Sequence, residues 1–318
     1  MPSPNSTFTE LVTTTFRNVK KSAADNLSNR NALLGYMKKH GNIDTEDGGL
    51  TIATPLDYAS NGTYQRYSDW DLLNISASDV ISSAEYQWRQ VAINVVASGR
   101  ELRINSGKNQ IFNLAKARMK NAMRTFNNNF TADLYSAGTL SNQINGLQAI
   151  VADTPTNTVG GIDASAFTFW QNKVMDASDA SVTPSATTIE GSLMLPLWLQ
   201  LDRGNDDCPD LIVMDNVYYQ YFENSQVSLK RYNDSTKATA GMNSLKYKTA
   251  DVIFDSTIPS NHAYFLNTQY LKLVVHKDAN MEVMDELKPV NQDGVVIPIL
   301  WMGNLVCSNR AQQGVIHA

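Results

Sequence analysis

The side chains with the means to do chemistry in this 318-residue chain are four histidines, two cysteines and a few close pairs of acids. A metal site built on histidine needs ligands spaced to share one face, and His40, His262, His276 and His317 show no HxH or HxxxH pairing. Cys208 and Cys307 lie far apart, without CxxC or Cys/His spacing, and read as two reduced thiols. The pairs Asp69/Asp71, Asp206/Asp207 and Asp285/Glu286 could serve as acid and base only if burial pushed their pKa values apart, and their turn-like neighbours offer none. Asn42 to Gly49 spaces its oxygens like a calcium loop, but lacks Gly at the sixth position and Glu at the twelfth, so it reads as a turn. GxxxxGK[ST], GxGxxG and GxSxG are all absent. We therefore expect no catalytic residue, no metal and no cofactor.

What remains is charge and its distribution. The net charge is −5, yet residues 1–41 carry six basic side chains against two acidic ones, and Lys108 to Ser136 five against one. From Ala137 onward acids outnumber bases, nineteen to eleven. Such asymmetry suits an N-terminal arm and a helix that face a polyanion, although a solvated helix face is a commoner cause than a specific nucleic-acid site. No zinc-finger, helix-turn-helix or RNA-recognition signature points to sequence readout. The start, MPSPNSTFTELV, has no basic n-region before an apolar core, so no signal peptide is expected. No apolar run approaches the ~18–20 residues a membrane span needs.

The elements that must position these charges follow from periodicity. Lys108 to Ser136 contains neither Gly nor Pro, and Ile111, Ala115, Met119, Ala122, Phe126, Phe130 and Leu134 recur in steps of three and four. That spacing predicts one long helix with a single apolar stripe, a cap at Asn105-Ser106 and a left-handed stop at Gly138. Before it, Thr63 to Leu73 and Glu85 to Ala97 are aromatic and β-branched and predict two long strands of a hairpin. The second slips by one residue between Trp88 and Val91, which predicts a bulge or bend. Rings at Tyr64, Tyr67, Trp70, Tyr86 and Trp88 are too many for a ribbon exposed alone in water. A short helix is expected around Asn31 to Lys39. Further helices are expected over Ala166 to Met175, over Thr187 to Leu201 with a break at Pro196, and from an Asp215 cap to Tyr221. Asn224 to Asn243 reads as a polar loop. Strands are expected at Leu211 to Met214, Asp251 to Phe254, Ala263 to Asn267, Leu271 to His276, Val295 to Trp301 and Leu305 to Asn309. The class is α+β, with no repeat.

In that order the parts resemble the major capsid proteins of tailed bacteriophages. SAEYQWRQVAINVVASGRELRINSGK enters the long helix and LYSAGTLSNQINGLQAIV leaves it. PDLIVMDNVYYQYFE, ADVIFDSTIPSNHAYFLNTQYLKLVV and GNLVCSNRAQQGVI resemble the family's later strand–helix and closing-strand segments. The resemblance covers nearly the whole chain. It implies an N-terminal arm over 1–50, an extended loop over 51–99 and a peripheral domain of 100–145 and 285–318 around a spine helix at 108–136. An axial domain would occupy 146–284. It further implies self-assembly into hexamers and pentamers of an icosahedral head enclosing double-stranded DNA. Arg17, Lys20, Lys21, Lys116, Arg118, Lys120 and Arg124 would face that DNA non-specifically. Tyr64, Tyr67, Trp70, Tyr86 and Trp88 would contact the adjacent subunit. The expected partners are other copies of the chain, the DNA, and separate scaffold, portal and decoration proteins, with no membrane. The expected location is the virion, assembled in the host cytoplasm. Because only about forty residues precede the hairpin, any scaffold is expected to be a separate protein.

Two rival readings share these features: an encapsulin-like compartment for protein cargo, and a soluble α+β enzyme or binding protein with Asn224 to Asn243 as a lid. Some members of the resembled family cross-link their shells through a lysine on the extended loop, but no lysine lies between Lys39 and Lys108 here. Mature particles should therefore run as single-chain bands on a denaturing gel. A covalent ladder would contradict this.

Overall fold

The helix at the centre of the chain forms because nothing in it can stop it, and it survives because one face has something to cover. In the computed structural model, residues 32–100, 108–204, 207–230 and 245–318 are described, with the side chains of 108–117 and 227–230 left aside. In chain order the first elements are α1 (Ala32–His40), β1 (Ile43–Glu46), β2 (Thr51–Asp57), β3 (Ile81–Gln87) and β4 (Arg89–Ser98). The spine α2 (Lys108–Leu134) follows, then α3 (Leu147–Ile150), the small hairpin β5 (Thr158–Val159) and β6 (Ile162–Asp163), and β7 (Lys173–Asp176). A wide helical turn, Ile189–Met194, runs into α4 (Leu195–Leu201), with β8 (Leu211–Met214) and α5 (Asn216–Lys230) after it. The remaining strands are β9 (Leu245–Tyr247), β10 (Ala250–Phe254), β11 (Ala263–Leu266), β12 (Leu271–Val283), β13 (Gly294–Cys307) and β14 (Gly314–His317).

The 27 residues of α2 span about 40 Å at ~1.5 Å per residue. Met119, Ala122, Phe126, Phe130 and Leu134 of the expected stripe are buried. The side chains of Ile111 and Ala115 and the cap at Asn105-Ser106 lie outside the described residues. Phe126 stacks on Phe130 at 5.4 Å between ring centres, and Phe130 meets Trp301 of β13 edge-on at 4.7 Å. Gly138 has φ +64°, the left-handed stop expected. Beyond it, a Cβ at Gly146 would collide with the carbonyl oxygens of Asp133 and Ser136, so only glycine lets the returning chain pass this close to the helix end.

The spine lies on a four-stranded sheet of order β1-β12-β13-β4. The slip at Trp88 proves to be a change of sheet. β3 pairs with β2, Tyr86 opposite Ile52, whereas β4 pairs with β13, Val91 opposite Trp301. The corner is held by polar bonds. The Tyr86 hydroxyl donates to the Cys307 carbonyl at 2.9 Å and accepts from the Cys307 N–H at 3.2 Å, and Asn304 Nδ2 donates to the Gln87 carbonyl at 2.8 Å.

The second sheet has the order β7-β14-β11-β8-β10-β9. Its central strands are buried on both faces and divide their side chains by parity. Leu211, Val213, Tyr264, Leu266 and Val315 join the core shared with the spine, while Ile212, Met214, Ala263, Phe265 and Ile316 pack toward α4 and α5. Asp215 Oδ1 accepts the Tyr218 N–H at 2.9 Å, capping α5 as expected. Arg310 is fully buried. Its guanidinium donates to the Ile150 carbonyl at 2.7 Å, to Asn157 Oδ1 at 2.8 Å and to Asn172 Oδ1 at 3.1 Å, fastening α3 and two loops beside this sheet.

Several expectations are corrected. Thr63 to Leu73 is not a strand; β3 takes β2 as its partner instead, and residues 58–80 form a long tip. Ala166 to Met175 is not a helix but a short turn, Thr168–Trp170, leading into β7. Trp170 Nε1 donates to the Val159 carbonyl and Asn172 Nδ2 to that of Ala152, so tertiary bonds override local propensity. Within the Asn42 to Gly49 turn, Ile43–Glu46 forms an edge strand parallel to β12, supported by Lys272 Nζ on Asp44 at 2.8 Å. The loop expected from Asn224 instead continues α5 to Lys230, and the rest of it lies outside the described residues. The two last expected strands merge into β13.

Truncating Phe130 removes the ring shared by the spine and β13. Phe130→Ala should cost about 3–5 kcal/mol in denaturant unfolding, and a loss under ~1 kcal/mol would place the seam elsewhere.

Candidate assembly surface

The ribbon β2–β3 closes at its neck, where the Tyr58 N–H donates to the Val80 carbonyl at 3.0 Å. Beyond the neck, side-chain amides hold residues 58–80 in shape. Gln65 reaches across the tip: its Nε2 donates to the Leu72 carbonyl at 2.9 Å and its Oε1 accepts the Asn74 N–H at 3.0 Å. Asn61 Oδ1 accepts both the N–H and the hydroxyl of Thr63, and Asp71 Oδ2 accepts the Ser68 N–H. Polar stitching of this kind leaves the apolar side chains turned outward. Trp70 is 97% exposed, Leu72 94%, Ile75 93% and Tyr64 82%, with Tyr67 and Leu73 also exposed. Three such rings alone present roughly 450–750 Å², at ~150–250 Å² each. A soluble monomer rarely exposes more than a few hundred Å² of contiguous apolar surface.

Tyr86 does not belong to this surface. It is 1% exposed and hydrogen-bonded within its own chain to Cys307; burial, above all, raises its phenol pKa well beyond the usual value. Alternation along β3 turns it toward the core while its neighbours Glu85 and Gln87 face out. Trp88 is half-buried, donates from Nε1 to the Gly49 carbonyl at 3.0 Å and meets His276 edge-on. Leu72, Leu73 and Ile75 were missed by sequence reasoning; their clue was an apolar run, DLLNI, without strand alternation. A second exposed apolar group, Met284, Leu287 and Val290, lies where β12 turns toward β13.

Of the basic set, Lys120 and Arg124 are exposed one turn apart on the spine. Arg118 instead donates Nη1 to the Val96 carbonyl on β4 at 2.6 Å, covering part of that strand's outer edge. Arg17, Lys20 and Lys21, and the side chain of Lys116, lie outside the described residues.

The chemistry-bearing residues are dispersed. His40 stacks on Tyr36 at 4.1 Å, and His262 lies 6.0 Å from His317. Cys307 is buried, and that burial pushes its thiol pKa up to about 12; Cys208 sits 3.3 Å from the Thr249 hydroxyl. Among the described residues no group of three or more His, Cys, Asp or Glu side chains could hold a metal ion, and no helix is long and apolar enough to cross a membrane.

No protein-family model matches the sequence, and no curated protein matches it either. The backbone, however, is similar to solved shells. The capsid of cyanophage A-1(L) superposes with a TM-score of 0.61 at 13% identity, covering 87% of this chain and 90% of that one. The capsid of a native GTA particle gives 0.54 at 13% identity, over 87% and 88%. The capsid of cyanophage P-SCSP1u gives 0.52 at 14% identity, over 87% and 85%. With its spine, its projecting ribbon and its two sheets, the chain has the α+β fold of the phage major capsid proteins.

Proposed function

We propose that the chain is the shell-forming subunit of a tailed-phage head. It assembles into hexamers and pentamers of an icosahedral shell around double-stranded DNA, and its role is structural, with no catalytic step. The observation that carries this reading is the 58–80 tip: six large apolar side chains held outward on a polar frame, on a chain with a capsid fold. Such a surface is costly in a monomer and useful in a subunit that lies against its neighbour. Roughly, the arm 1–50 and the spine's exposed bases face inward, the peripheral domain of 100–145 and 285–318 carries the spine, and 146–284 surrounds the capsomer centre. Separate scaffold, portal and decoration proteins complete the head, which forms in the host cytoplasm and is retained in the virion.

Size-exclusion chromatography and negative-stain microscopy of the purified protein test this directly. Capsomers or megadalton particles are expected. A compact monomer or dimer at all concentrations would favour a soluble binding protein, and shells filled with protein but free of nucleic acid would favour a cargo compartment.

Trp70 separates assembly from folding. Because its side chain is exposed, Trp70→Ser should change unfolding free energy by no more than about 0.5 kcal/mol, yet prevent particle formation. Particles at wild-type yield would sink the assignment of the tip as a docking element.

The inward spine face has its own signature. Each phosphate neutralised contributes about −0.9 to the slope of log affinity against log salt on duplex DNA. Lys120→Gln with Arg124→Gln should make that slope shallower by up to about 1.8 in filter-binding titrations, equally for unrelated sequences. An unchanged slope would remove these residues from the DNA face.

A further inference from the structure

The loop between β10 and β11, residues 255–262, touches three separate parts of the subunit. At one end Asp255 accepts the Tyr135 hydroxyl on Oδ2 at 3.0 Å, tying the loop to the end of the spine. Approaching β11 the Asn261 N–H donates to Asp215 Oδ2 at 2.8 Å, and the Asp215 N–H donates to the His262 carbonyl at 3.1 Å, which fixes the loop to the cap of α5. At the other end the His262 ring reaches the loop that follows α3, with Nε2 3.1 Å from Asp153 Oδ2. That second loop contains Asn157, one of the partners of buried Arg310.

Both nitrogens of His262 face acceptors. Nε2 meets the Asp153 carboxylate, and Nδ1 meets the Ser260 carbonyl at 2.8 Å. A neutral imidazole has one N–H and can satisfy only one of them, whereas the imidazolium donates to both. Two nearby carboxylates favour that charge. Asp153 and Asp215 face the ring. His317 of β14 lies parallel to it at 6.0 Å, with Asp176 at the end of β7 beyond, and Tyr264 of β11 lies 6.1 Å away.

We propose that His262 is a proton-operated latch at the joint between the spine end and the six-stranded sheet. Protonated, it ties the Asp153 loop to the 255–262 loop; when it loses its proton, one of the two bonds must go. The latch belongs to the single subunit and does not depend on how that subunit assembles.

Its pH window follows from both partners. Burial opposes a charge on His262, but the bonds to Asp153 and Ser260 outweigh it and raise the pKa above the ordinary 6.5. Its contribution is therefore complete below about 6.5 and fades as pH climbs through the higher folded value. Asp153 is lowered, first by its hydrogen bond from His262, so its contribution is complete above about 3.9 and is lost as pH falls through the lower folded value. The latch is closed in mildly acidic solution and weakens as pH rises through the raised folded value of His262.

Histidine titration by NMR on the full-length chain, paired with hydrogen exchange at pH 5.5 and 8.5 corrected for intrinsic rates, tests the latch. The His262 midpoint should lie above the ordinary histidine value, and protection of residues 151–157 and 255–262 should fall at the higher pH. Asp153→Asn should lower the His262 midpoint and abolish the pH difference in protection. His262→Gln, which cannot titrate, should likewise show equal protection at both pH values and covers the case in which the first variant fails to fold. His317→Asn should keep the pH response, since it removes a neighbour and not a bond. An unmoved His262 midpoint in Asp153→Asn, a persistent pH difference in His262→Gln, or equal protection in the wild type would overturn the proposal.

Discussion

A helix of 27 residues with one narrow apolar stripe cannot hide that stripe on its own, and the rest of the subunit is arranged around this need. Phe126, Phe130 and Leu134 must be covered, and β13 supplies the cover with Trp301 at its centre. Because β13 is 14 residues long, it can pair with β4 on one side and β12 on the other along most of its length. Gly303 is the tight spot: a Cβ there would strike the Val274 carbonyl and the Trp301 ring. The spine and its sheet are thus one packed unit, in which the apolar seam provides most of the stabilisation and the ladder provides the register.

Where the apolar seam ends, buried polar bonds take over. Among the described residues Arg310 is enclosed without a carboxylate partner, and its burial lowers its pKa. A buried charge is tolerable only if its donors are satisfied, and here carbonyl and amide oxygens satisfy them. Asn267 and Gln313 exchange bonds in the same way, the Asn267 N–H donating to Gln313 Oε1 and Gln313 Nε2 to the Asn267 carbonyl. Such bonds are directional, and they place irregular segments that no hydrophobic contact could place uniquely.

Those two kinds of bonding divide what could be read in advance from what could not. Periodicity exposed the spine, its stripe and its glycine stop, because each depends on residues near one another in sequence. It also exposed the break at Trp88, since a slip in alternation is local even when its cause, a change of sheet, is not. Thr63 to Leu73 was misread because aromatic content looks the same in a strand and in an exposed tip. Ala166 to Met175 was misread because Trp170 and Asn172 answer to distant carbonyls. Tyr86 looked like the other rings, and only the pairing of β3 with β2 turned it inward. The spine's bases were visible as a group, but the bond from Arg118 to the β4 edge needed coordinates.

The 58–80 tip is framed by Gln65, Asn61 and Asn74, and its apolar side chains stand outside the subunit's own core. Substitutions in the tip can therefore be made with little penalty to the fold, whereas substitutions in the seam under Trp301 cannot. The outward chemistry of the chain can thus be rewritten within one short segment, residues 58–80, while its core packing stays as it is.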